Sequence, residues 1–414
     1  MKITFKSGSK AAAYSFIGIY CLVGCVLSMA FDSRSFLMGI LSSLCFLYIT
    51  LNNSTKLKKA GCLLILGLVF CLLTVFSKKD SSLGRALIYK ISSKALRENM
   101  ITGIGVDQFA HKYLLFQAEY FENQKFDEKE LLLADNTYFA FNDYYQLIIE
   151  LGIGAVFGLG ILFFLLFTII KQSLKSDQYN NIFLYVSIIN IVSISVAAAF
   201  THIFDRPLLC FIWLLSLFFI VDQITNRKHQ PLLLSTILLS YIFAIYTDVK
   251  YQNTHSQLEE ANLLWEAGYK SDSLQHLRCL YPNLSDQVDF LYSFGKKLYL
   301  AGELDRAILT LEKLKTIYTF NQLYLDLAKC HERVGNADRA IEYYTKSVHM
   351  VPNRFNTRYE LFNYYLRTAQ IKDAIKVGQE TLLIPVKVPS KFTDFYRSEI
   401  KSKLIKLRVA NIEQ

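Results

Sequence analysis

The sequence predicts an all-α protein in two parts: a polytopic transmembrane helical bundle, then an α-solenoid of helical hairpins. Three observations carry that prediction. Apolar runs of roughly 17–24 residues, long enough to cross a bilayer, recur up to Thr247. Beyond Lys250 no such run occurs and charges become frequent. In that second stretch Gly268, Gly302, Gly335 and Ala369 return at intervals of about 33–34 residues, the period of a helix-turn-helix repeat. The composition, 52% hydrophobic with 19% charged residues over 414 positions, averages the two parts. The expected domains are a membrane domain at 1–250, interrupted by a long loop at 77–145, and a repeat domain at 251–414.

About seven spans are expected at roughly 20 residues each. They lie near Ala11–Phe31, Ser35–Leu51, Ala60–Phe76, Leu147–Ile170, Ile182–Phe200, Pro207–Val221 and Pro231–Thr247. Charge sets their direction. With the N-terminus in the cytoplasm, Lys2, Lys6, Lys10, Lys56, Lys58, Lys59, Lys171, Lys175, Arg227 and Lys228 all fall inside. The short outer turns then carry only Arg34 and Arg206. The loop and the repeat domain are both extracytoplasmic. This flanking role accounts for much of the net charge of +10, and no nucleic-acid site is expected.

The eight cysteines form no CxxC pair, and no His/Cys cluster has zinc spacing, so no metal or other cofactor is expected. Most of them lie in apolar runs, where they read as small packing residues.

The long loop holds the residues with chemical character. Asn142, Gln146 and Glu150 stand four apart and share one helix face. Glu150 then enters the apolar run as a carboxylate at or just below the interface, a functional candidate by default. Pairing with Arg85 or Arg206 is the competing account. Arg34, Arg85 and Arg206 fall on one side of the membrane and suit a shared anionic ligand, because a guanidinium forms forked bonds to phosphate. Read singly, Arg34 and Arg206 are snorkelling anchors at helix ends. Gly152, Gly154, Gly158 and Gly160 are expected to allow close helix packing. Gly103-Ile104-Gly105 precedes no strand–helix unit and is not a nucleotide loop. The aromatic stretches Phe109–Phe121 and Leu131–Tyr145 suit either sugar stacking or an interfacial belt.

In the last part the clearest unit reads QLYLDLAKCHERVGNADRAIEYYTKSVHMVPN. Ala328, Gly335, Ala340, Tyr344 and Pro352 stand where a tetratricopeptide repeat places its small residues, its aromatic and its terminal proline. Ser273, Ala307, Ala340 and Ala374 each follow the periodic position by five. About four hairpins in a short solenoid are expected, with an inner face open to a protein partner or acceptor, or serving as a spacer.

The membrane part resembles a known family. DSRSFLMGIL, GRALIYKISSKALRENMITGIGVDQF, FNDYYQLIIELGIG and HIFDRPLL are similar, in order and spacing, to motifs of the O-antigen ligase and polymerase superfamily. The resemblance covers about Ala11–Val221. It implies a bacterial inner-membrane glycosyltransferase of the GT-C type, metal-independent, that takes glycan from undecaprenyl pyrophosphate. The glycan passes to a hydroxyl of lipopolysaccharide core, of another repeat unit or of a protein. It also implies that Arg34 and Arg85 hold the pyrophosphate, and that Asn142, Tyr144 and Gln146, further substrate-binding candidates, occupy the loop block with Glu150 and Gly152. One departure is plain: the block's usual histidine is Phe141 here.

The chemistry fits. Breaking a sugar–pyrophosphate bond develops charge on the leaving phosphate, and preorganised arginines stabilise it. The acceptor hydroxyl needs a base within hydrogen-bond reach. Glu150 is the first candidate, then Asp143 and His202, with His111 a further substitute for the missing histidine. Arg206 joins Arg34 and Arg85 as a substrate-binding cation. The alternative is a catalytically degenerate membrane anchor that displays repeats as a scaffold in cell-envelope assembly.

Overall fold

The structure, a computed structural model, describes residues 18–26, 34–51, 79–123, 126–176, 182–224 and 255–410, with isolated positions between them. Apart from such positions, the expected spans at 60–76 and 231–247 lie outside the described residues. Every regular element among the described residues is an α-helix. In chain order the first are Arg34–Leu51 (α1), Lys79–Glu98 (α2), Phe109–Asn123 (α3), Glu128–Leu133 (α4), Asp143–Leu151 (α5), Ile153–Ser176 (α6), Ile182–Ala198 (α7) and Pro207–Ile224 (α8). Lys270–Leu284 (α9), Val288–Ala301 (α10), Leu304–Ile317 (α11), Asn321–Val334 (α12), Ala337–Met350 (α13), Phe355–Arg367 (α14), Ile371–Leu383 (α15) and Lys391–Ala410 (α16) follow. Contacts divide the chain into two compact units. The first takes residues 1–85, 96–106 and 139–246. The second takes 86–95, 107–138 and 247–414.

The first unit is an apolar bundle. Among the described residues two of its helices are long and apolar enough to cross a membrane, Ile153–Lys175 and Pro207–Ile224, and two shorter apolar ones are Arg34–Thr50 and Ile182–Ala198. α1 and α7 run antiparallel in close contact. A Cβ on Gly39 would stand 2.3 Å from the Ser193 carbonyl oxygen, so only glycine fits there. Buried hydroxyls along the seams are satisfied. Ser193 Oγ donates to Ser43 Oγ at 3.3 Å, and Ser173 Oγ to the Ile220 carbonyl at 3.2 Å.

The close seam between α1 and α7 uses Gly39, and Gly154, Gly158 and Gly160 have no neighbour within 4 Å among the described residues. One expectation is corrected here: the fourth apolar run is two helices, not one. α5 ends at Leu151, and Gly152 reverses the backbone with φ 67° and ψ −152°. The main chain of the 100–103 segment crosses at that point. A Cβ on Gly152 would meet the Ile101 carbonyl oxygen at 2.5 Å, and Ile153 N donates to the Met100 carbonyl at 2.8 Å. Only glycine tolerates both constraints.

The second unit joins the repeats to most of the long loop. Four hairpins run from helical residues 255–266 with α9, through α10–α11 and α12–α13, to α14–α15, and α16 closes the end. The periodic position is the turn between paired helices. Gly268, Gly302, Gly335 and Ala369 have φ of 94°, 84°, 84° and 57°. Five residues on, Ser273, Ala307, Ala340 and Ala374 are fully buried. A larger side chain at any of them would push the paired helices apart.

α3 packs on α13 and α11, burying Phe109, Tyr113, Leu114, Tyr120 and Phe121. These aromatics are core of the second unit, and serve neither as a membrane belt nor as a sugar platform. Gln117 donates Nε2 to the carbonyls of Asp135 and Met350, fastening loop to repeat. His111 Nδ1 lies 3.0 Å from Thr319 Oγ1 in the same interface.

Ala369 is the one non-glycine at the periodic turn. Ala369→Gly is expected to stabilise the chain by roughly 0.5–1 kcal/mol, since relief of the left-handed strain exceeds the extra unfolded-state freedom of glycine. Gly335→Ala is expected to cost about 1–2 kcal/mol. Thermal unfolding of the solubilised full chain measures both, and a lower midpoint for Ala369→Gly would contradict the strain argument.

Candidate functional site

The polar end of the first unit forms where α5 meets the turn between α7 and α8. α5 starts at a capped N-terminus. Asn142 Oδ1 accepts the Tyr145 amide at 3.0 Å. Gln146 Oε1 accepts the Ala140 amide at 3.1 Å, and its Nε2 donates to Glu150 Oε1 at 3.3 Å. The stripe expected from spacing therefore exists, and much of it is used to hold α5 and its leading segment in place. Tyr144 donates its hydroxyl to the Ser195 carbonyl at 2.6 Å, tying α5 to α7.

Asp143 reaches across to the α7–α8 turn. Its Oδ2 accepts the amides of Ile203 at 2.7 Å and Phe204 at 3.0 Å. Burial pushes its carboxyl above the usual range, against the pull of those two amides and of His202. The turn it grips presents His202. That imidazole stacks flat on Phe139, with ring centres 4.3 Å apart and planes 5° apart, and meets the edge of Phe141 at 5.7 Å. Its Nδ1 is buried without a hydrogen-bond partner among the described residues. Burial lowers its pKa first. The Arg206 cation lowers it further, Asp143 and Asp205 oppose, and Arg85 adds a smaller lowering.

Phe141 has φ 54°, a left-handed backbone that is costly for a non-glycine residue and is held by its neighbours. The guanidinium of Arg85 lies over its ring, 5.3 Å from the centre, and Nη1 donates to the Phe200 carbonyl at 2.7 Å. Arg85, Phe141, His202 and Asp143 thus form one cluster. Arg34 opens α1 at the same end of the bundle, because Phe36 packs with Ile203 and Leu209. Arg206 is exposed and lines an apolar cavity of about 750 Å³ with Tyr20, Ile40, Ile189 and Leu209.

Glu150 stands two turns along α5 from Asp143, roughly 10 Å at ~1.5 Å per residue. It is buried, with 7% of its surface exposed. Its carbonyl accepts the Gly105 amide at 2.9 Å, and that of Ile149 accepts Ile104 at 3.0 Å. The GIG and ELGIG segments, far apart in sequence, are thus knitted together by main-chain bonds. Gly103, at φ 69°, is the closest point: a Cβ there would lie 2.2 Å from the Glu150 carbonyl oxygen.

Sequence reasoning named Arg85, Asp143 and His202 separately. It did not find Phe139 or the Phe200 carbonyl, which hold His202 and Arg85 in place. Phe139 belongs to the aromatic stretch ahead of α5, and its role depends on tertiary closure.

Residues 4–163 match the family model described as O-antigen ligase. That segment contains Arg34, Arg85, Asp143 and Glu150, while His202 and Arg206 lie beyond it. No curated protein matches the sequence. Similar solved structures are helical-repeat proteins. A putative kinesin light chain from Podosopora anserina with nearly identical TPR-like repeats is 16% identical, covering 39% of this chain and 87% of its own, with a TM-score of 0.33. MamA is 20% identical over 31% of this chain and 77% of its own, with a TM-score of 0.30. YrrB, described as a TPR protein with an unusual peptide-binding site, is 13% identical over 36% and 75%, with a TM-score of 0.28.

Asp143→Ala would leave two amides of the α7–α8 turn without their acceptor. It is expected to cost about 1.5–3 kcal/mol, the worth of hydrogen bonds to a charged group. Asp143→Asn keeps a carbonyl oxygen and should lose less. Tryptophan fluorescence follows the unfolding, because Trp213 packs edge-on against Phe204 at 6.1 Å. Equal losses in the two variants would show that the amides are not the cause.

Proposed function

We propose, from the match of residues 4–163 to the O-antigen ligase family, that the chain is a membrane glycosyltransferase. It moves glycan from an undecaprenyl-pyrophosphate carrier to a hydroxyl acceptor, as a surface-polysaccharide ligase or polymerase, or in protein O-glycosylation. The observation that carries this reading is the cluster in which His202, with a buried unpartnered nitrogen, lies beside Phe141 and under the influence of Arg85 and Arg206. Phe141 stands at the position of the family's usual histidine. His202 supplies an imidazole next to it from another part of the chain.

The roles follow from charge. Arg85, Arg206 and Arg34 bind the pyrophosphate and take up the charge that develops as the sugar–phosphate bond breaks. The acceptor oxygen attacks the anomeric carbon, the bonding pair leaves with the pyrophosphate, and the acceptor proton passes to His202. Asp143 orients His202 through the turn. Glu150, buried and hydrogen-bonded by Gln146, supports α5. The apolar cavity lined by Arg206 suits a polyprenyl tail with its phosphate at the cation.

The second unit supports the expected topology. It combines residues 86–95 and 107–138 with the repeats, and on this reading both lie on one side of the bilayer. The chain then crosses an even number of times between them. α6, α7 and α8 supply three crossings and the apolar run Pro231–Thr247 the fourth. With the basic residues inside, this side is extracytoplasmic in a bacterial plasma membrane.

Arg85→Ala should abolish long glycan ladders on gels of surface polysaccharide, with protein level unchanged. Intact ladders would return the chain to the role of a scaffold. His202→Ala should slow transfer in proteoliposomes by about 10²–10⁴-fold. His202 must be neutral to act as base, so the rate is expected to be flat near neutrality. It then falls as pH drops through a midpoint below the ordinary histidine value of about 6.5. Arg206→Gln removes a lowering charge, so that midpoint should rise. A midpoint that stays in place would exclude His202 as the titrating group.

A further inference from the structure

The repeat domain holds a second concave site that the transfer chemistry does not use. It is a cavity of about 690 Å³, within the ~300–1,000 Å³ typical of small-ligand pockets. The starts of α12 and α14, the segment leading into α16, and Asp135 and Asn136 of the long loop form its walls, all within the second unit. Unlike the cavity at Arg206, its lining is rich in carboxamides.

Hydrogen-bond accounting separates what builds the walls from what is left over. Asn353 Nδ2 donates to the carbonyls of Leu131 at 2.8 Å, Leu132 at 3.2 Å and Ala134 at 2.7 Å, and so fastens the loop. Asn136 Nδ2 donates to Asn321 Oδ1 at 3.0 Å. Asp135 takes Arg354 at 2.7 Å and Lys387 at 3.6 Å. Asn356 donates to Gln322 Oε1 at 3.3 Å, and Gln322 to Asp326 at 3.1 Å. Among the described residues, Asn321 Nδ2, Asn356 Oδ1, Nε and Nη1 of Arg354, and the Tyr396 hydroxyl have no hydrogen-bond partner in the protein. These are donors and acceptors on planar groups that line one cavity. Neighbouring hydroxyls of a sugar, each donor and acceptor at once, match such a set. Beside them Phe392 is 74% exposed and Val388 68% exposed, apolar surface at the edge of a polar cavity. An aromatic face there can receive the C–H face of a pyranose.

We infer that this cavity binds a short oligosaccharide, held by Asn321, Asn356 and Arg354 and stacked on Phe392 and Tyr396. An extended peptide fits less well. Asp135 and Asn136 wall the cavity, and the carboxamide that grips main chain, Asn353, is already occupied by the protein's own loop.

The test uses the full chain in lipid nanodiscs. The probe is fluorescein-labelled oligosaccharide released by mild acid from the surface polysaccharide of the producing cell, with no lipid attached. Anisotropy is expected to show saturable binding. Asn356→Leu and Tyr396→Ala should weaken it at least tenfold, and Tyr396→Phe much less. Arg85→Ala should bind as the parent does, so loss of transfer and loss of this site are read apart. Photo-crosslinking of the same probe to the parent chain should map to the start of α16, a result that needs no folded variant. Absence of saturable binding overturns the inference. So do binding untouched by Asn356→Leu and Tyr396→Ala, crosslinks confined elsewhere, and competition by an acidic peptide with no response to the sugar.

Discussion

One carboxylate oxygen organises the polar end of the first unit. Oδ2 of Asp143 takes two successive amides of the α7–α8 turn. The amide of buried Ile203 needs an acceptor, and the half-buried carboxylate needs donors, so each fixes the other. The pairing sets where His202 lies, and His202 in turn is pressed between Phe139 and Phe141. A turn of small weak contacts would leave the imidazole free to rotate. Here ring stacking and two charge-assisted bonds determine one arrangement.

Arg85 follows a similar logic. Its Nη1 is committed to the Phe200 carbonyl, which aims the guanidinium while leaving its other donors available. The strained backbone at Phe141 is the cost of bringing that ring between Arg85 and His202.

How much of this was legible beforehand depended on whether the signal was local. The repeat period was plain in the sequence because a left-handed turn and a close helix crossing recur at fixed spacing. Gly268, Gly302, Gly335 and Ala369 show that backbone, and Ser273, Ala307, Ala340 and Ala374 that burial. The stripe of Asn142, Gln146 and Glu150 was legible as spacing but not as purpose, since an N-cap and a ligand-binding asparagine look alike in one dimension. The break at Gly152 was hidden inside a continuous apolar run, and only the crossing main chain of 100–103 reveals it. The aromatics of α3 were read as surface because their partners lie in α11 and α13, far along the chain, where no periodicity links them.

That last distance has a consequence for biogenesis. α3 leaves the ribosome roughly 200 residues before α13, on the order of 10–40 s at about 5–20 residues per second. During that interval Phe109, Tyr113 and Leu114 have no core to enter. The segment is then an orphan amphipathic helix, a substrate for holding chaperones. Closure of this core therefore waits for α11 and α13, the helices that α3 packs against.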